Sequence, residues 1–168
     1  MKDNIILIGM PGCGKSTIGV LLAKNLAYGF LDSDLVIQEQ SGRKLQDMID
    51  EMGPEAFSAF EDAVNATLIP HNTVIATGGS AVYGTRAMEH FREIGTVVYL
   101  KASYETIEKR IRNFETRGIV IPEGQTFRDV YNERTALYEK YADITVDIDA
   151  DKADIWDVVE AITAKLKD

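Results

Sequence analysis

Short apolar runs alternating with amphipathic helical stretches predict an α/β fold: a three-layer sandwich whose five-stranded parallel sheet is flanked by helices. Three observations carry this expectation. Apolar runs of strand length recur along the chain, helical patterns fill most of the gaps between them, and gaps of that length suit right-handed crossovers between parallel strands.

The runs are NIILIG (4–9), YGFLDSD (28–34), NTVIATGG (72–79), GTVVYLKA (95–102) and DITVDI (143–148). After the first, residues 15–27 place Ile18, Leu21, Leu22 and Leu26 on one helical face. About forty residues separate the second and third runs, enough for two or three helices; within them, 55–69 carry Phe57, Phe60, Val64 and Leu68 on one face. Further helical patterns cover 85–93, 103–113, 126–141 and 153–167, the last with Ile155, Trp156, Val159 and Ile162 as expected core. Residues 113–125, NFETRGIVIPEGQ, lack periodicity and contain Gly118, Pro122 and Gly124, so they are expected to form a mobile lid. No repeat, low-complexity tract or linker divides the chain. Residues 1–168 are expected to be one domain, with a substrate-binding helical region over about 33–61.

Composition narrows the function classes. The net charge of −9 argues against nucleic acid or an anionic membrane as partner. One cysteine, Cys13, precludes an internal disulfide, and the start MKDN leaves no room for a secretory leader, so a cytoplasmic protein is expected, taken as a monomer. An acidic chain that binds an anionic ligand must concentrate its positive charge. KASYETIEKRIRNFETR supplies Lys101, Lys109, Arg110, Arg112 and Arg117, although alone it also reads as a solvated helix face.

The ligand is signalled by GMPGCGKST (9–17), a G-x-x-x-x-G-K-S/T spacing between a buried strand and an amphipathic helix. Gly9, Gly12 and Gly14 let backbone N–H groups turn toward phosphates, and the helix starting near Lys15 adds its positive end. Lys15 is expected to reach the β- and γ-phosphates and Ser16 to bind Mg²⁺, with Gly12, Cys13, Gly14 and Thr17 completing the nucleotide side. Cys13 occupies a free position of the motif and reads as a small filler. A GTPase would need N-K-x-D, which is absent, and DEMG (50–53) does not end a strand. A motor-type ATPase would place an acidic residue after a later strand, where this chain has ATGGS and YLKAS. A compact phosphate-loop kinase remains. In FLDSD, alternation puts Asp32 and Asp34 on the same side at a strand's carboxyl end. One can stand behind Mg²⁺ through water while the other orients or deprotonates an acceptor hydroxyl; a helix cap would account for one of them but not both.

With these residues in place, the chain resembles the shikimate kinases over nearly its whole length. The resemblance rests on the cradle, FLDSD, GPEAFSAFE (53–61), TGGS (77–80), Arg117 and RTALYEKYAD (134–143), in family order. It implies a sheet of the nucleoside-monophosphate-kinase type with a closing lid, ATP and Mg²⁺ as cofactors, and a small-molecule substrate, shikimate. It also implies roles: Lys15 and Arg117 on the transferring phosphoryl group, Ser16 and Asp32 at Mg²⁺, and Arg110 against adenine. Asp34 would be the base, Gly78 and Gly79 would offer backbone to substrate, and Arg134 would pair with the carboxylate.

The chain departs from the family where a substrate-binding arginine is usual and Ser58 stands instead, and Ser80 replaces a third glycine. Glu61 would then share the acceptor pocket with Asp34 without its family partner. Such a pocket suits a neutral polyol or a zwitterion such as homoserine or threonine. The other reading is that Ser58 is tolerated and Arg43 or Lys44 fills the gap. A nucleotide-binding regulator without phosphotransfer is disfavoured by intact Lys15, Asp34, Arg117 and Arg134. His71 and His90 lack metal-ligand spacing and are expected to be solvated.

Overall fold

A computed structural model describes residues 2–111, 119, 121–149 and 154–168. Strands β1 (Asn4–Ile8), β2 (Gly29–Asp32), β3 (Thr73–Ala76), β4 (Gly95–Lys101) and β5 (Ile144–Asp147) form one parallel sheet in the order β2-β3-β1-β4-β5. The helices are α1 (Lys15–Leu26), α2 (Ser33–Ser41), α3 (Leu45–Met52), α4 (Pro54–Asn65), α5 (Thr85–Ile94), α6 (Tyr104–Ile111), α7 (Phe127–Tyr141) and α8 (Ile155–Lys165). Every residue of β1 and β3 is buried, and so is β4 from Val97 to Leu100, because helices cover both faces of a parallel sheet.

The long interval between β2 and β3 holds three helices with a core of their own. Ile37, Met48, Phe57 and Val64 pack together apart from the main core, tying α2, α3 and α4 into one unit. The turn from α2 to α3 is held closely. Gly42 caps α2 in the left-handed conformation at φ 67°, and Leu45 N–H donates to Gln38 Oε1 at 3.1 Å.

Three expectations are corrected. The second strand stops at Asp32, because the Asp32 carboxylate accepts the Asp34 N–H at 2.9 Å and caps α2. Asp34 therefore sits in the first turn of a helix, not in alternation along a strand. Trp156 is 45 % exposed, because α8 buries the stripe of Val158, Val159 and Ile162 and leaves Trp156 at its edge. His90 also differs: it is half-buried, its Nε2 paired with the Leu68 carbonyl, whereas His71 is exposed beside Asp3. Most of the expected lid over 113–125 lies outside the described residues; within its last part, Gln125 N–H closes a turn onto the Pro122 carbonyl.

One buried side chain fastens the amino-terminal ends of the central strands. Asn4 Nδ2 donates to the carbonyls of Pro70 at 2.8 Å and Ile94 at 3.0 Å, while its Oδ1 accepts from Thr73 N–H at 3.1 Å. Asn4→Ala leaves three backbone groups without that partner. The expected cost is about 3 kcal/mol, lowering Tm by roughly 10 °C, with no loss of ligand binding by the folded fraction, because Asn4 lies at the opposite end of β1 from the loop. Calorimetry beside a nucleotide titration checks both halves.

Candidate active site

The loop leaving β1 turns on two left-handed glycines, Gly12 at φ 81° and Gly14 at φ 97°, the second being the N-cap of α1. A side chain at either position would be strained whatever the space around it. Lys15 is buried, and its ammonium donates to the carbonyls of Gly9 at 2.7 Å and Met10 at 2.9 Å. Cys13 lies inside the loop, buried, its Sγ 3.7 Å from the same ammonium. Arg110 on α6 reaches across to the Gly12 carbonyl at 3.0 Å. At the start of α1, Ser16 Oγ donates to Asp32 Oδ2 at 3.2 Å, so one carboxylate both caps α2 and meets the phosphate loop.

Beside the loop, two carboxylates converge on the turn after β3. Asp34 Oδ1 lies 2.6 Å and Glu61 Oε2 3.0 Å from where a Cβ on Gly78 would stand, so only glycine fits between them. Both resist ionisation. Burial raises Asp34 from 3.8 to about 6, helped by nearby Asp32 and opposed by Lys15. Burial also raises Glu61 from 4.5 to about 7, against the stabilising hydrogen bond from Ser80. That bond is short, Ser80 Oγ to Glu61 Oε1 at 2.7 Å. Ser80 thus holds the glutamate in place.

The counter-charge is Arg134, presented by α7. It is 3 % exposed, its Nε has no hydrogen-bond partner among the described residues, and its guanidinium carbon stands 5.5 Å from the centre of the Tyr83 ring. A Cβ on Gly79 would lie 3.1 Å from Arg134 Nη1, and the Gly79 carbonyl accepts from Tyr138 OH at 2.6 Å. A buried cation with an unpaired donor beside two carboxylates is arranged to receive an anion.

A cavity of about 880 Å³ joins these parts. Gly12, Gly14, Lys15, Ser16, Thr17 and Arg110 line its phosphate side, and Asp34, Glu61, Gly78, Gly79, Ser80 and Arg134 its other side. Of the expected site residues, Ser58 is half-buried on α4 and does not line it, nor do buried Cys13 and Asp32, which meets the loop through Ser16. Arg117 lies outside the described residues. Sequence reasoning missed Gln38, Leu45, Ile49 and Thr77 as lining residues. Gln38 had a signal: it follows Asp34 by one helical turn, on the same face.

Comparisons with known proteins agree with this geometry. A family model described as shikimate kinase matches residues 11–167. A shikimate kinase of Thiobacillus denitrificans is 38% identical over 149 residues, covering 87% of this chain and 81% of that protein. One of Chlorobium chlorochromatii is 36% identical over 174 residues, covering 97% and 90%. Among solved structures, a shikimate kinase from Acinetobacter baumannii in complex with shikimate superposes with a TM-score of 0.87 at 28% identity, covering 99% of this chain and 94% of that one.

The buried glutamate generates a test in the unliganded protein. Unfolded, Glu61 ionises near 4.5; folded, near 7, so folding takes up a proton between those values and stability falls as pH rises through them. Asp34 acts in the same direction between 3.8 and about 6. Glu61→Gln removes the charge and keeps an acceptor for Ser80. It is expected to stabilise the protein by on the order of 2 kcal/mol at pH 8, and by clearly less at pH 5. Equal gains at both pH values in thermal melts would contradict the charge as the cause.

Proposed function

The chain belongs to the shikimate kinase family, and from that premise we propose that it transfers the γ-phosphoryl group of ATP to a hydroxyl of shikimate. It is an ATP-dependent kinase that phosphorylates an alcohol. The observation that carries the acceptor is the shared cavity: buried Arg134 with an unpaired Nε, and Asp34 near neutral pKa, open onto the same space as the phosphate loop.

Phosphoryl transfer leaves the protein little covalent work, so its residues position groups and neutralise charge. Backbone N–H groups of the loop hold the phosphates, and Lys15 exchanges the Gly9 and Met10 carbonyls for β- and γ-oxygens. Arg117 supplies a second cation to the transferring group, and Arg110 lies against the adenine. Ser16 and Asp32 would hold Mg²⁺; a hydroxyl and a carboxylate in contact are the hard oxygen donors this ion takes. When bound, Mg²⁺ neutralises phosphate charge. Among the described residues no cluster of three or more His, Cys, Asp or Glu side chains could hold a metal ion.

Arg134 pairs with the shikimate carboxylate, Gly78 and Gly79 offer it backbone, and Asp34 takes the proton of the attacking hydroxyl. A pKa of about 6 keeps Asp34 ionised at neutral pH yet basic enough to accept that proton. We place the enzyme in the cytoplasm as a monomer of one domain. No helix among the described residues is long and apolar enough to cross a membrane.

ADP release with shikimate, homoserine and threonine as acceptors tests the assignment. Shikimate is expected to stimulate turnover strongly; stimulation by a hydroxy amino acid alone would overturn it. Asp34→Asn is expected to lower kcat by about 10²–10⁴ and to abolish the fall in rate as pH drops through about 6. Arg134→Ala is expected to raise KM for shikimate roughly ten- to a hundred-fold with KM for ATP unchanged.

A further inference from the structure

An anionic acceptor entering this cavity meets two carboxylates, Asp34 and Glu61, and needs more than one cation. Among the described residues four cationic side chains line the space: Lys15, Lys44, Arg110 and Arg134. Lys15 and Arg110 are engaged with carbonyls of the phosphate loop, and the proposed reaction assigns both to the nucleotide. Arg134 already serves the carboxylate. Lys44 is left, and no hydrogen bond or ion pair ties its ammonium to another described residue.

The two rival positions are accounted for. Arg43 does not line the cavity; its guanidinium pairs with Glu51 at 2.6 Å and donates to the Asp47 carbonyl at 3.4 Å. Ser58 does not line the cavity. Lys44 is also poorly placed for local stability. It is the N-cap residue of α3 and caps with no side-chain hydrogen bond, so its charge stands at the positive end of a helix whose first turn also carries Asp47. Its backbone is nevertheless well fixed. The left-handed Gly42, the Gln38–Leu45 bond and the Ser41 hydroxyl, which accepts from Arg43 N–H at 3.2 Å, hold the turn on both sides of it. Leu45, Ile49 and Phe57 line the same wall, an apolar surface for a carbon ring beside the ammonium.

We infer that Lys44 binds the acceptor's carboxylate together with Arg134, and so restores the positive charge that Ser58 does not provide. This rests on the proposal that the acceptor is a carboxylate-bearing alcohol. Its prediction is a series graded by charge at one exposed position. Steady-state kinetics of Lys44→Arg, Lys44→Gln and Lys44→Glu are expected to give a KM for shikimate close to wild type for Arg, about tenfold higher for Gln and higher again for Glu. Throughout the series kcat and KM for ATP stay within about twofold, and melting temperatures are no lower than wild type. A KM for shikimate indifferent to the charge at 44, in an enzyme that does phosphorylate shikimate, overturns the role of Lys44 alone. A wild-type enzyme that does not phosphorylate shikimate overturns the acceptor assignment and this inference with it.

Discussion

Two carboxylates enclosed around one glycine set the terms for the rest of this site. Asp34 and Glu61 approach Gly78 so closely that no side chain could stand between them. Burial makes ionisation of each costly, and their proximity adds to the cost. A fold tolerates this only where other groups offset the charge. The sheet order places the carboxyl ends of β1 and β3 side by side, and Thr77 ties the two together through bonds to the Leu7 carbonyl. The charge of Lys15 favours ionised Asp34, and that of Arg134 favours ionised Glu61.

Glu61 shows how that offset works: among the charges acting on it, Arg134 favours the ionised form while Asp34 and Asp62 oppose it. Ser80 adds a short hydrogen bond that also favours the carboxylate, yet burial outweighs both and holds the pKa up at about 7.

Much of the frame was legible in the sequence because it depends on local rules. Continuous apolar runs gave β1, β3 and β4, and the glycine spacing around Lys15 marked the loop before any coordinates. The misses are tertiary. The strand at 28–34 stopped early because Asp32 spends its side chain on the next helix, a capping bond that apolar patterning does not register. Trp156 looked like core, since size and spacing say nothing about which residues border a helix's buried stripe. The Ser80–Glu61 bond joins positions nineteen apart in sequence, and Lys44 and Ser58 both lay in the expected substrate region; only packing showed which of them faces the cavity.

The central claim is that an alcohol held between Asp34 and Arg134, not water, receives the phosphoryl group. The direct measurement is product identity by phosphorus NMR after incubation with ATP, Mg²⁺ and shikimate. The expected result is ADP with an equimolar phosphate monoester of shikimate, and no such ester with Asp34→Asn over the same interval. ADP accompanied only by inorganic phosphate, with shikimate recovered unchanged, would contradict it.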